Sequence, residues 1–203
     1  TATACQAITK GGDGCKSAGS LYLEGKWYCR VRGHAPEGAG PPAAGLEVIA
    51  QDELELVRLC TDSVRSHKVA SALLSGGKAE QEIEWTDPET RIECRGRVDY
   101  ISGRVDYLTP HGGVIDLKST RRETVREFVR DAASGLYYGQ LAWYHDGATL
   151  AGRLPAGASQ PLIVAVSTTE PYDVAPFQLA PSALEAGRIL YRDLLTKYQQ
   201  CVA

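Results

Sequence analysis

The chain has 203 residues, 43% hydrophobic and 23% charged, which is enough to bury a core and too apolar for wholesale disorder. Its formal net charge of −3 excludes a uniformly basic nucleic-acid-binding domain, although local basic stretches remain. No apolar run approaches the ~20 residues that span a bilayer, and no signal-peptide pattern opens the sequence, so no membrane partner is expected and the setting reads as intracellular and reducing.

Residues 1–34 are rich in Gly, Lys and Cys and too polar to make a core. Of the 6 cysteines, Cys5, Cys15 and Cys29 crowd this segment, while Cys60, Cys94 and Cys201 are scattered. In a reducing compartment such a cluster points to a metal before a disulfide framework. With His34 it offers three thiols and an imidazole, a candidate tetrahedral Zn²⁺ site that would fold a segment of this size, although a tight Cys-x-x-Cys is missing. Residues 35–45 (APEGAGPPAAG) form a linker or extended arm, and the main domain is expected over residues 46–203.

From Asp52 to Leu74 the apolar residues fall at helical spacing, and Gly76-Gly77 ends that helix. Three strand-like runs follow, at roughly 80–86, 91–108 and 113–119, with turns at Asp87-Pro88 and at Pro110-His111-Gly112-Gly113. Helical patterns cover 121–134 and 136–146, separated near Gly135. Short strands are expected at 162–166 and 172–179, and an amphipathic helix at 182–199. This order predicts an α/β (α+β) domain with a central mixed sheet flanked by helices.

The most chemically informative run is Gly113-Val-Ile-Asp-Leu-Lys-Ser-Thr120. Strand side chains alternate faces, so Asp116 and Lys118 point the same way while Ile115 and Leu117 point the other. A carboxylate beside an ammonium on a buried-type strand can hold a divalent cation and a reactive water together, which suits phosphodiester hydrolysis. An ordinary strand-surface ion pair is the competing reading of these two residues alone. Arg91, Arg95, Arg97 and Arg104, then Arg121, Arg122, Arg126 and Arg130, supply local positive charge around it.

Glu80 on the first strand, an aspartate on the second, Asp116 and Lys118 on the third, and Gln140 with Tyr144 on the next helix form one series. Gln140 and Tyr144 are four apart and share a helical face. The text Ala79-Glu80, Trp85-Thr-Asp-Pro-Glu-Thr90, Cys94-Arg-Gly-Arg-Val-Asp99, Val114-Ile-Asp-Leu-Lys-Ser-Thr120 and Gln140-x-x-x-Tyr144 resembles the PD-(D/E)xK nuclease superfamily over roughly residues 46–200. Its form is similar to the exodeoxyribonuclease VIII-like branch of phage and bacterial recombination exonucleases, and the amino-terminal segment resembles a zinc knuckle. Asp116 stands where many relatives carry Glu. Their early-helix histidine has no clear counterpart, since His67 reads as a surface helix residue.

The resemblance implies a restriction-endonuclease-like core and a cytoplasmic Mg²⁺- or Mn²⁺-dependent DNA exonuclease that leaves a 5′ phosphate. A single-strand annealing protein and further copies of the chain are the implied partners. Asp116, a second-strand aspartate and the Leu117 backbone carbonyl would hold the cation, whose preference is for oxygen ligands. Lys118 would orient or deprotonate the attacking water, Glu80 would serve a second ion directly or through water, and Gln140 and Tyr144 would brace the site.

A near-repeat leaves the second-strand aspartate open, because Gly96-Arg-Val-Asp-Tyr-Ile-Ser102 is followed at once by Gly103-Arg-Val-Asp-Tyr-Leu-Thr109. The ungapped text from Trp85 favours Asp99, whereas a hairpin centred near His111 sets Asp106 opposite residue 116. In a regular strand the two face opposite sides, and both can serve only across a bulge. A structure-specific endonuclease and a catalytically silent DNA-binding module on the same fold are the alternative functions. An iron–sulfur nuclease is excluded by the single carboxyl-terminal cysteine, Cys201.

Overall fold

The computed structural model describes residues 21–23, 26–28, 51–103 and 111–202. The candidate zinc ligands Cys5, Cys15, Cys29 and His34, the linker at 35–45, Arg104 and Asp106 lie outside the described residues. The chain divides into two units, Thr1–Thr61 and Asp62–Ala203. In the first, β1 (Leu21–Leu23) and β2 (Lys26–Tyr28) pair antiparallel.

The helical periodicity expected over 52–74 resolves into α1 (Gln51–Ser66) and α2 (Lys68–Leu73). The break falls at His67, whose backbone is extended (φ −73°, ψ 113°) and whose Nδ1 accepts the Ala70 N–H at 3.1 Å. An imidazole thus caps a helix start, the place where backbone donors lack partners. That use of His67 corrects its reading as a surface helix residue.

The second unit is built on a five-stranded sheet ordered β3 (Lys78–Thr86), β4 (Glu93–Ser102), β5 (Gly113–Thr120), β6 (Leu162–Ser167) and β7 (Val174–Gln178). Neighbours are antiparallel except β5 and β6, which run parallel. The parallel step needs a crossover, and α3 (Val125–Ser134) and α4 (Tyr137–Leu150) supply it. A closing helix, α5 (Pro181–Val202), packs on α4. This is the mixed sheet with flanking helices expected from the order of elements.

Alternation sorts the apolar residues into two layers. Val114 and Ile163 join Phe128, Leu141 and Ala148 from α3 and α4 on one face. Ile115, Leu162 and Val164 join Ala70 and Leu73 from α2 on the other. Each fully buried Ile or Leu contributes roughly 1.5–3 kcal/mol to holding these layers together.

One interruption of the alternation matters for the site. Val98 and Ile101, three residues apart, lie in the same layer, while Tyr100 lies in the other. The pleat therefore changes phase between Val98 and Ile101. Opposite that point the β3–β4 ladder skips Glu80, which has a left-handed backbone (φ 49°). The register is unchanged on either side of the step, so no net residue is inserted.

The second strand, expected to run to residue 108, ends at Ser102, which pairs with Gly113. The pairing of Ser102 with Gly113 differs from the register that would set position 106 opposite 116, and residues 104–110 lie outside the described residues. It is the first copy of the repeat that pairs with β5, with Tyr100 and Ile101 each filling one core layer.

Candidate active site

The site forms where β4 and β5 part. Their last paired positions are Tyr100 and Ile115, and the next position on each strand is Asp99 and Asp116. Beyond it β5 continues only along β6, to Thr120 opposite Ser167, while β4 continues along β3. The Leu117 N–H at this fork donates instead to Asp99 Oδ2 at 2.9 Å. The carboxylate of Asp99 thereby satisfies a main-chain donor next to Asp116.

Asp116 is 1% exposed, yet neither of its oxygens accepts a well-formed hydrogen bond. The Lys118 ammonium is a close partner of opposite charge, its Nζ 2.7 Å from Oδ2. Burial pushes the Asp116 carboxyl up to about 6, Lys118 pulls it down, and the neighbouring Asp99 pushes it up again. A buried carboxylate so poorly served, beside a second carboxylate, is a place where positive charge is wanted.

Lys118 is one-fifth exposed, and its ammonium also lies 5.0 Å from the centre of the Tyr137 ring on α4. Tyr137 was not among the residues singled out from the sequence. Its position three residues before Gln140 puts it on the same helical face and could have signalled it.

Gln140 and Tyr144 are brought together, the Gln140 Nε2 donating to the Tyr144 hydroxyl at 3.3 Å. Tyr144 lies across β4 at Gly96, where an added Cβ would sit 3.1 Å from Tyr144 Cε1. Absence of a side chain at Gly96 is what allows this aromatic ring so near the strand. Glu80 sits on β3 at the position facing Asp99 in the continuing register, but its exposed carboxylate is engaged by Arg97 Nε at 3.1 Å. The geometry thus joins Asp99, Asp116, Lys118 and the Leu117 main chain in one group, and Gln140 with Tyr144 in a second.

Among the described residues, no three or more His, Cys, Asp or Glu side chains cluster as a metal site. Two adjacent carboxylates, that of Asp116 buried and poor in hydrogen bonds, nonetheless suit a hard divalent cation that completes its shell with carbonyl oxygen, water and phosphate. The donor chemistry therefore fits the group. No helix among the described residues is long and apolar enough to cross a membrane.

Residues 47–203 match the family model described as a PDDEXK-like domain of unknown function (DUF3799), and the chain belongs to that family. Among solved structures it is similar to a protein from Eubacterium rectale named as a "putative exonuclease", with 11% identity and a TM-score of 0.54. That match covers 75% of this chain and 56% of the other, so the chain spans little more than half of the relative's length. A protein named SSO0001 matches with 17% identity and a TM-score of 0.37 over 74% of this chain and 68% of its own. None of the curated proteins matches the chain in sequence. At these identities the structural likeness concerns the fold alone.

Proposed function

We propose that the chain is a divalent-metal-dependent deoxyribonuclease, acting as a DNA exonuclease, with Asp99, Asp116 and Lys118 at its centre. The observation that carries this reading is the buried, hydrogen-bond-poor carboxylate of Asp116 beside Asp99, with the Lys118 ammonium 2.7 Å away. Membership of a PDDEXK-like family and the name of the Eubacterium rectale protein support it.

Asp99 and Asp116, with the Leu117 carbonyl, would hold Mg²⁺ or Mn²⁺. Such a cation supplies charge neutralisation at a phosphate and lowers the pKa of water. The residues of this chain do the rest. Asp116 fixes Lys118, whose ammonium can donate to the attacking water or to a non-bridging phosphate oxygen as negative charge grows there. The water oxygen forms a bond to phosphorus and the bond from phosphorus to the 3′ oxygen breaks, leaving a 5′ phosphate and, after that oxygen takes a proton, a 3′ hydroxyl. Gln140 and Tyr144 brace α4 over β4. The exposed Arg121, Arg126 and Arg130, on and just before α3, offer cations to the DNA backbone.

Digestion of end-labelled linear and closed circular DNA with Mg²⁺ or Mn²⁺ tests the reading. Loss of linear DNA only, abolished by Lys118→Ala, is the expected result. Loss of circles as well moves the assignment to an endonuclease. No cleavage with either metal overturns the enzymatic reading and leaves a DNA-binding module.

A further inference from the structure

Tyr137 opens α4 at a position set by the tight α3–α4 joint. Helix α3 ends at Ser134, Gly135 follows, and Leu136 adopts a left-handed backbone (φ 56°, ψ 32°) that turns the chain into α4. The Tyr137 ring is then boxed. A Cβ added at Gly135 would lie 2.9 Å from its Cε1, and the Phe128 ring stands 6.5 Å away, centre to centre. Phe128 in turn stacks on Phe177 at 4.9 Å. The ring that this scaffold holds has the Lys118 ammonium 5.0 Å from its centre.

The face of an aromatic ring is electronegative, and an ammonium within about 6 Å of its centre is attracted to it. A lysine side chain otherwise loses much of its rotamer freedom when fixed in one place. Lys118 has two holds, the Asp116 carboxylate and the Tyr137 ring. They differ in kind: any cation taken up by Asp116 competes for the first and leaves the second untouched.

We infer that Tyr137 is a positioning residue whose ring face keeps the Lys118 ammonium aligned with the Asp99–Asp116 pair. Its catalytic consequence rests on the nuclease reading, whereas the contact itself does not. A filler role in the core would be served equally by an aliphatic side chain of similar bulk. A role toward the ammonium requires a ring.

Two measurements on the full chain test this. In metal-free protein labelled at lysine, the Lys118 ε-methylene protons should be shifted upfield by the ring current. Tyr137→Leu should remove that shift, and Tyr137→Phe should keep it. With Mg²⁺ and end-labelled linear DNA, Tyr137→Leu should lower kcat about 5- to 30-fold. KM should stay within about twofold, as expected when DNA contacts are intact. Tyr137→Phe should stay near wild type in both constants. Gly135→Ala, which crowds the ring without touching Lys118, should reduce the shift and kcat together, so the conclusion does not depend on Tyr137→Leu folding.

Equal activity of Tyr137→Leu and wild type overturns the inference, as does equal impairment of the Phe and Leu variants. A Lys118 signal without an upfield shift overturns the contact. Absence of cleavage by wild type overturns the nuclease reading and with it the role given to Tyr137, while the ring-current arm still reports the contact separately.

Discussion

Leu117 donates its backbone N–H to Asp99 Oδ2 at 2.9 Å, so the carboxylate of one strand stands in for a ladder partner of the next. This ties the position of Asp99 to the main chain immediately beyond Asp116. A charge change at Asp99 that preserves this acceptor should separate chemistry from folding. Asp99→Asn keeps an oxygen for Leu117 and loses the charge, so DNA cleavage should fall by at least about 100-fold while thermal stability changes little. Asp106→Asn in the second copy of the repeat should leave cleavage near wild type. Parallel digestion assays on the two variants decide which copy supplies the second carboxylate, and loss of activity only with Asp106→Asn would reverse the assignment.

Lys118 makes the complementary case. Its ammonium faces Asp116 and the Tyr137 ring from one side chain, and no substitution short of a cation at the same reach replaces it. Lys118→Ala should lower kcat by about 100- to 1,000-fold, the scale of losing one donor aimed at developing charge. Binding of linear DNA in Ca²⁺ or without metal should persist, because the backbone contacts are proposed for Arg121, Arg126 and Arg130. An equal loss of binding and cleavage would show that Lys118 serves DNA affinity and not the chemical step.

Asp116 should limit the stability of the metal-free protein. Its folded-state carboxyl is raised, chiefly by burial, to about 6. A raised folded pKa means that the associated stability is fully present below pH ~4 and is lost as pH rises through about 6, where the buried group must ionise. The difference from an ordinary aspartate corresponds to roughly 3 kcal/mol. Asp116→Asn should therefore raise the melting temperature of the metal-free chain at pH 7.5 by about 5 °C or more. The gain should shrink toward pH 4, and cleavage should be abolished throughout. Melting curves of both proteins across pH 4–8 check it, and a variant less stable than wild type at pH 7.5 would contradict it.

Much of this was legible in the sequence for a physical reason: period and parity survive in one dimension. The Gly113–Thr120 run places Asp116 and Lys118 on one face by alternation alone, and the structure pairs them at 2.7 Å. The four-residue spacing put Gln140 and Tyr144 on one helical face, where the structure adds a hydrogen bond between them. Register was harder. The repeat gives two copies of the same text, which parity alone does not tell apart, and the structure pairs the first copy with β5. The pleat step at Glu80 and Asp99 carries no glycine or proline to announce it. Tyr137 escaped because nothing local to it marks a ring as the companion of a lysine nineteen positions earlier on another element.

A second, partly buried carboxylate on α4 yields the sharpest stability test. Asp146 on α4 accepts from Arg188 Nε at 2.9 Å and Nη2 at 2.8 Å, and from the Tyr191 hydroxyl at 2.8 Å, all across the α4–α5 contact. Its neighbour His145 adds a contact from Nδ1 at 3.0 Å. Burial pushes the Asp146 carboxyl up, but the hydrogen bonds from Arg188, His145 and Tyr191 outweigh it and hold the group well below the usual carboxylate range. A lowered folded pKa stabilises above the ordinary carboxylate pKa and is lost as pH falls below it. Asp146→Ala removes those acceptors and leaves the Arg188 guanidinium and the Tyr191 hydroxyl without their partner. The expected cost is roughly 1–3 kcal/mol at neutral pH, below that of a fully buried ion pair because the guanidinium keeps contact with solvent. The difference between variant and wild type should narrow as pH falls from 5 toward 2. Urea unfolding at several pH values measures this. A constant difference across that range would show that packing of α4 on α5, and not the charge of Asp146, sets the stability of this contact.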